Sequence, residues 1–221
     1  MSVIVFDAYG TLFNVDALQS VAAQFVGERA DEFQRVWRDK QLAYAWRSTL
    51  MNRYQDFDKL TQQAFLFTLR SMGVHNEQIA CAKLIEAHDS LPVYDDVKTT
   101  LDALNATSHK LVVLSNGTFR ALQKLASAEN ILFSFDYLLS SAPLRTYKPA
   151  RAAYQLVIDT THCEKTDVIF VSSNGWDISG AKAFGFHSIW CNRQNAVSDT
   201  LGPQPDNIIT DLHELPSLLQ S

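Results

Sequence analysis

Asp7 follows the apolar run Val3–Phe6 and precedes the turn Ala8-Tyr9-Gly10-Thr11. A carboxylate at the end of a buried strand, beside a glycine-containing turn whose backbone N–H groups hold it ionised, is equipped to act as a nucleophile. The same residue could instead satisfy the N–H groups of its own loop by an Asx-type bond. Thr11 is placed to orient it. Two further apolar runs also end in polar side chains: Leu111–Leu114 leads into Ser115 and Asn116, and Val168–Val171 leads into Ser172, Asn174 and Asp177. The loop ahead of a helix near 150 adds Lys148. Carboxylates, an ammonium, amides and hydroxyls together are the parts of a hydrolytic site. Any one of them alone could be a helix cap; their recurrence at successive strand ends argues for a shared edge where ligands bind.

Positioning these residues requires strands buried on both faces, and the runs 3–6, 111–114, 168–171 and 187–191 read that way. Helical patterns lie between them, near 95–106, 118–129, 150–161 and 176–184, and a short last strand is expected over 207–209. The alternation predicts an α/β class, a Rossmann-like parallel sheet core. Residues 15–90 break the rhythm: they are dense in helix formers and contain no comparable strand run. Phe33, Trp37, Gln41 and Tyr44 mark one stripe of a long helix, widened by Leu42, Ala45 and Trp46, and a second helix near 58–72 carries Leu60, Ala64, Phe67 and Ser71. The expected organisation is a core of 1–14 and 91–221 with an inserted helical cap domain, 15–90, acting as a lid. Arg38 shares the arc of Leu42 and Ala45, an odd place for a charge with no anion to meet, although a snorkelling surface Arg fits the spacing as well.

Composition bounds the function. With 47% hydrophobic residues, 8 Gly and 6 Pro, the chain can bury a large core, which excludes disordered and collagen-like classes. Its 19 basic and 24 acidic residues sum to −5, so no nucleic-acid partner is expected, and an anionic substrate would need local cations. Cys81, Cys163 and Cys191 lack any metal-ligand spacing and read as buried hydrophobes in a reducing cytoplasm. The first apolar run reaches Asp7 after only four residues, too short for a signal segment or a membrane span, so no membrane partner is expected.

Phe6-Asp7-Ala8-Tyr9-Gly10-Thr11-Leu12-Phe13, Leu114-Ser115-Asn116-Gly117, Tyr147-Lys148-Pro149 and Phe170 to Asp177 resemble, in order, the four motifs of the haloacid dehalogenase superfamily. The segments Trp37 to Trp46, Arg53 to Phe57 and Gly180 to Phe186 are similar to the L-2-haloacid dehalogenases. That resemblance implies an (S)-2-haloacid dehalogenase in which Asp7 attacks C2 of a short 2-haloalkanoic acid and displaces halide, leaving an aspartyl ester. It implies that Arg38 faces the leaving halide, that Lys148 pairs with Asp7 and the substrate carboxylate, and that Asp177 and Asn174 position the hydrolytic water. Ser115 and Asn116 would bind the carboxylate or help the halide, and Tyr154 would support Lys148. Ser172 belongs to the same strand-end set. Tyr9, Leu42, Phe57 and Trp176 would form apolar walls, each being otherwise an ordinary core residue. No cofactor and no metal are implied, and homodimer formation is left open.

Tyr9 separates two chemistries within that superfamily. Its phosphatases typically carry a second Asp two residues after the nucleophile, because an alkoxide leaving group needs a proton; halide is a weak base and needs none. The alternative is a Mg²⁺-dependent phosphate or phosphonate hydrolase, which Asp7, Ser115, Lys148 and Asp177 would also serve. A binding scaffold with no activity is the third option, and it has no use for the polar strand ends. Asn14, where the resembling enzymes usually have Asp, is expected to cap the first helix of the insert; Asp39, where they usually have Gln, puts a carboxylate next to Arg38.

Overall fold

A computed structural model describes residues 2–219; Met1, Gln220 and Ser221, the ends of the expected core segments, lie outside the described residues. In chain order the elements are β1 (Val3–Phe6), α1 (Leu18–Val26), α2 (Ala30–Leu50), α3 (Phe57–Ser71), α4 (Glu77–His88), α5 (Val97–Asn105), β2 (Lys110–Ser115), α6 (Phe119–Ala128), β3 (Tyr137–Ser140), α7 (Arg151–Thr161), β4 (Val168–Ser172), α8 (Gly175–Phe184), β5 (His187–Cys191), β6 (Asn207–Ile209) and α9 (Leu215–Leu218). The chain forms two compact units, Met1–Asn14 with Val93–Ser221, and Val15–Pro92. The return crossing thus falls at Val93, slightly beyond the expected 91.

In the first unit a 6-stranded sheet runs β3-β2-β1-β4-β5-β6, with every pairing parallel. β1 lies between β2 and β4 and is buried along its whole length, which explains its unbroken Val-Ile-Val-Phe sequence. Because side chains alternate across a strand, Val3, Val5, Val112, Leu114, Val168 and Phe170 gather in one core cluster with Tyr154, Val157, Ile178 and Ala181 of α7 and α8. The strand order reverses between β1 and β4, where Phe6 is in register with Val171. Such a reversal opens a crevice beyond the carboxyl ends of the two strands. β3 was not among the expected strands: it is a short edge strand whose Tyr137 is exposed and Leu138 half-buried, so it lacks the continuous apolar run of its neighbours.

The second unit packs α1 to α4. α2 buries Phe33, Gln34, Trp37, Gln41, Leu42, Ala45 and Ser48, and the Trp37 ring meets Phe65 of α3 with 4.8 Å between centroids. The stripe expected on the second helix is shifted. Phe67 and Ser71 are exposed, and the buried face is Phe57, Leu60, Thr61, Ala64, Phe65, Thr68 and Leu69. Two threonines join that face because their hydroxyls bond the carbonyls one turn back, Thr61 to Phe57 and Thr68 to Ala64, both at 2.9 Å. Asn14 is not the cap of α1: a 3₁₀ turn, Val15–Ala17, intervenes, and Ala17 holds the cap position.

Candidate active site

Asp7 begins the loop where β1 ends. Its backbone N–H still donates to the Val171 carbonyl at 3.0 Å, so the register of the sheet continues to Asp7. Three side-chain bonds fix that carboxylate. Lys148 Nζ donates to Oδ1 at 2.7 Å, while the Thr11 hydroxyl and Asn174 Nδ2 donate to Oδ2 at 2.9 and 2.8 Å. Thr11 Oγ1 also accepts from the Ser173 N–H at 2.8 Å and so ties the β1 loop to the β4 loop.

Lys148 is the centre of the arrangement. Its Nζ donates to Asp7, to Asp177 Oδ2 at 2.6 Å and to the Leu114 carbonyl at 2.9 Å, and the side chain is fully buried. A buried ammonium is tolerated when every N–H finds an acceptor and charge is matched. Burial opposes its charge, but Asp177 and Asp7 outweigh that, so the pKa rises above the ordinary lysine value. Asp177 lies at the start of α8 and is equally buried. Burial pushes its carboxyl up to about 6, with Lys148 pulling the other way and Asp7 adding repulsion.

Tyr154 corrects one expectation: its hydroxyl donates to Asp177 Oδ1 at 2.7 Å, so it supports the carboxylate rather than Lys148. Gly180 makes that approach feasible, since a Cβ there would overlap the Tyr154 hydroxyl and stand 2.5 Å from Pro149 Cβ. Ser172 Oγ sits between the two ends of its loop, accepting from Asn174 N–H at 3.1 Å and donating to Asp177 Oδ2 at 3.3 Å. Asn116 Oδ1 accepts from the Lys148 backbone N–H at 2.7 Å, and Ser115 Oγ accepts from Gly117 N–H at 3.1 Å. Both residues therefore hold the loops that carry the charges.

Tyr9 is buried, and its ring lies against Gly117, where a Cβ would come within 2.8 Å of the ring edge. Its carbonyl accepts from Asn174 Nδ2 at 3.1 Å. The Trp176 ring centroid is 6.0 Å from Lys148 Nζ, which brings that aromatic to the same site. The first unit thus collects Asp7, Tyr9, Thr11, Ser115, Asn116, Lys148, Tyr154, Ser172, Asn174, Trp176 and Asp177.

Three of the expected residues, Arg38, Leu42 and Phe57, belong to the second unit. Arg38 and Leu42 are one turn apart on α2, Leu42 and Phe57 are buried, and Arg38 is half-buried with its guanidinium 5.7 Å over the Trp37 ring. Arg38 donates to Gln41 Oε1 at 2.6 Å, and Gln41 Nε2 donates to Thr61 Oγ1 at 2.5 Å. Asp39 is exposed on the same helix.

A family model for haloacid dehalogenase-like hydrolases matches residues 1–185. The chain belongs to that family. It is 39% identical over 216 residues to (S)-2-haloacid dehalogenase 1 of Pseudomonas sp. (strain CBS-3), covering 97% of this chain and 95% of that protein. It is 34% identical over 203 residues to haloacetate dehalogenase H-2 of Moraxella sp. (strain B), covering 92% and 91%. Among solved structures, the L-2-haloacid dehalogenase of Xanthobacter autotrophicus with chloropropionic acid covalently bound aligns with a TM-score of 0.90 at 31% identity, over 100% of this chain and 99% of that one.

Within this haloacid dehalogenase-like hydrolase, the residues present do not form a cradle for a divalent cation. Asp7 and Asp177 both lie on one ammonium, position 9 is aromatic, and among the described residues no group of 3 or more His, Cys, Asp or Glu side chains is placed to hold a metal. Likewise no helix among the described residues is long and apolar enough to cross a membrane. The sequence reading missed the hydrolase's supporting side chains. Gln41 lies in the stripe of Phe33 and Trp37, yet a buried amide needs partners, and it finds them in Arg38, three residues earlier on the helix, and in Thr61 of α3. Ser140 and Ser141 were missed with β3; Ser140 Oγ donates to the Gly117 carbonyl at 2.6 Å and Ser141 Oγ to Asn116 Oδ1 at 3.3 Å.

Proposed function

We propose that this protein hydrolyses the carbon–halogen bond of short (S)-2-haloalkanoic acids, giving 2-hydroxy acids inverted at C2, by way of an ester on Asp7. The observation that carries the reading is a strand-end carboxylate that accepts from a fully buried lysine at 2.7 Å, with an aromatic residue where a phosphatase would place its acid.

Asp7 attacks C2 from the side opposite the halogen; the new C–O bond forms as the C–X bond breaks and halide leaves with the electron pair. No proton is needed for that departure, so Tyr9 serves as apolar wall beside the halogen-bearing carbon, together with Trp176, Leu42 and Phe57. Asp7, Asp177 and Lys148 sum to −1, so an incoming carboxylate and a departing halide require further positive charge. The resemblance to the L-2-haloacid dehalogenases assigns that charge, and receipt of the halide, to Arg38. Asn116 and Ser115 contribute donors to the substrate carboxylate.

In the second step water attacks the carbonyl carbon of the ester and Asp177 takes its proton, held in place by Ser172, Tyr154 and Lys148. Donors already aimed at the Asp7 carboxylate, from Thr11, Asn174 and Lys148, stabilise the oxyanion that forms. As the intermediate collapses the acyl C–O bond breaks, Asp177 passes its proton to the departing alkoxide to give the hydroxy acid, and Asp7 returns to the carboxylate by losing the water's second proton to solvent. The reading includes no metal or cofactor, a cytoplasmic setting consistent with free Cys81, Cys163 and Cys191, and leaves room for a homodimer.

Halide release from L- and D-2-chloropropionate in excess EDTA, beside p-nitrophenyl phosphate with Mg²⁺, tests the reading. Release from the L isomer alone, undiminished by chelator, is expected. Activity restored only by Mg²⁺, or turnover of the phosphate ester alone, would make it a phosphohydrolase.

A further inference from the structure

Two residues that open helices in the first unit turn their side chains away from those helices. Asn174 precedes α8 and makes no side-chain cap; its amide serves Asp7 and Tyr9. Asp96 precedes α5 and likewise makes no side-chain cap, although an Asp there ordinarily accepts from an N–H of the first helical turn. Asp96 is only 4% exposed, and its carboxylate takes a forked pair from Arg193, at 2.6 Å to Oδ2 and 3.0 Å to Oδ1, together with the Leu212 N–H at 2.7 Å.

Arg193, just beyond β5, carries the arrangement to the site. One of its terminal nitrogens also donates to the Thr11 carbonyl at 3.1 Å, and the guanidinium lies 4.1 Å over the Tyr94 ring. The Tyr94 N–H in turn donates to the Leu12 carbonyl at 3.1 Å. The segment holding Thr11 is therefore gripped from outside through its backbone, while the Thr11 hydroxyl is used inside on Asp7 and Ser173.

Stability alone does not account for this pair. A buried ion pair is commonly no more stable than an apolar pair of the same volume, and this one forgoes a helix cap and leaves Arg193 Nε without a partner among the described residues. What a planar guanidinium fork on a carboxylate does provide is fixed geometry.

We propose that the Arg193–Asp96 pair is a positioning device for the nucleophile, holding the Thr11 carbonyl so that the Thr11 hydroxyl stays on Asp7. Both are positioning residues: their bonds run to Thr11 and Leu212, not to Asp7, Lys148 or Asp177. The inference rests on Asp7 being the nucleophile of the proposed reaction.

The test is a set of double-mutant cycles on halide release from L-2-chloropropionate, with thermal melts alongside. Arg193→Gln, Arg193→Lys and Asp96→Asn are each made in the natural chain and in a Thr11→Val background. In the natural chain kcat falls about 10- to 100-fold, the size expected for a displacement near an ångström. KM stays within about twofold, since no substrate contact is lost. Arg193→Lys falls with the others because an ammonium cannot fork Asp96 and also reach Thr11. In the Thr11→Val background these substitutions bring no further loss of kcat. Equal losses in both backgrounds, or a lower Tm with kcat unchanged, overturn the proposal; if Arg193→Gln does not fold, the charge-retaining Arg193→Lys is the variant read. Asp7→Asn run in parallel separates the two levels: halide release surviving in it removes the nucleophile reading, whereas its loss together with additive Arg193 effects removes only the positioning device.

Discussion

The α/β unit and the helical unit both bury neutral polar side chains, but among the described residues the buried carboxylates and ammonium are in the first. The interior of the first contains Asp7, Lys148 and Asp177, all charged and all gathered where β1 and β4 end. The interior of the second contains Gln34, Gln41, Ser48, Thr61, Thr68 and His88, and it meets charge through amides: Gln41 links Thr61 to half-buried Arg38, and Gln34 donates to Asp16 Oδ1 at 3.2 Å. Neutral groups in the second unit satisfy one another and the helix carbonyls: the Trp37 indole N–H donates to Gln34 Oε1 at 2.8 Å, and Gln34 Nε2 to the Val15 carbonyl at 3.0 Å. Charged groups in the first remain only because each is matched. The difference separates polarity that organises packing from polarity that is kept for chemistry.

Removing the matching charge should produce the largest effect. Lys148→Met leaves two buried carboxylates facing each other, and a denaturant melt should show a loss of about 3–5 kcal/mol, with halide release abolished. A variant with normal stability would show that the ammonium does not hold the two carboxylates. Arg38→Ala should next lower kcat by about 100-fold or more with a much smaller change in stability, and Arg38→Lys should not restore it, since a compact ammonium lacks the planar fork. Natural rates in Arg38→Ala would reduce this Arg to a surface residue.

Most of the α/β unit was legible in the sequence because its strands are buried on both faces and end in side chains that a core has no use for. Asp7 and Asp177 announce themselves in that way, and Lys148 by its place in the loop ahead of the helix near 150. β3 does not, because an edge strand with Tyr137 exposed needs no continuous apolar run. Phe67 misled the reading of α3 for the opposite reason: an apolar side chain on a helix is not obliged to be inside, whereas the threonines that are inside hide their hydroxyls on the backbone. The partnerships of Arg193 with Thr11 and of Asn116 with Lys148 run through backbone atoms, and no residue spacing records a bond to a carbonyl or an N–H.

A smaller effect sharpens the comparison inside the site. Tyr154→Phe removes a hydrogen bond that favours the Asp177 anion, so kcat should drop several-fold and its acid limb, set by a carboxyl near 6, should move to higher pH. An unmoved limb would mean that Asp177 does not govern it. Two buried groups, one in each unit, should also contribute with opposite sign to the response to acid. Burial lowers His88 to about 4 from 6.5, so the unfolded chain takes up that proton first and stability is lost as pH falls from 6.5 toward 4. Burial raises Asp177 to about 6 from 3.8, so the native state binds that proton more tightly and its contribution improves as pH falls through the same region. Urea melts of His88→Leu across that range should show the acid loss diminished; an identical slope would assign the loss to other groups.

The most direct measurement follows the oxygen. With enzyme in excess over L-2-chloropropionate in ¹⁸O-water, a covalent ester transfers an oxygen of Asp7 to the product, and the hydrolytic water leaves its own oxygen on the enzyme. The product hydroxyl should then be unlabelled after a single turnover while the peptide containing Asp7 gains label. Label in the product with none in that peptide would mean that water attacks C2 directly, and would contradict Asp7 as the nucleophile.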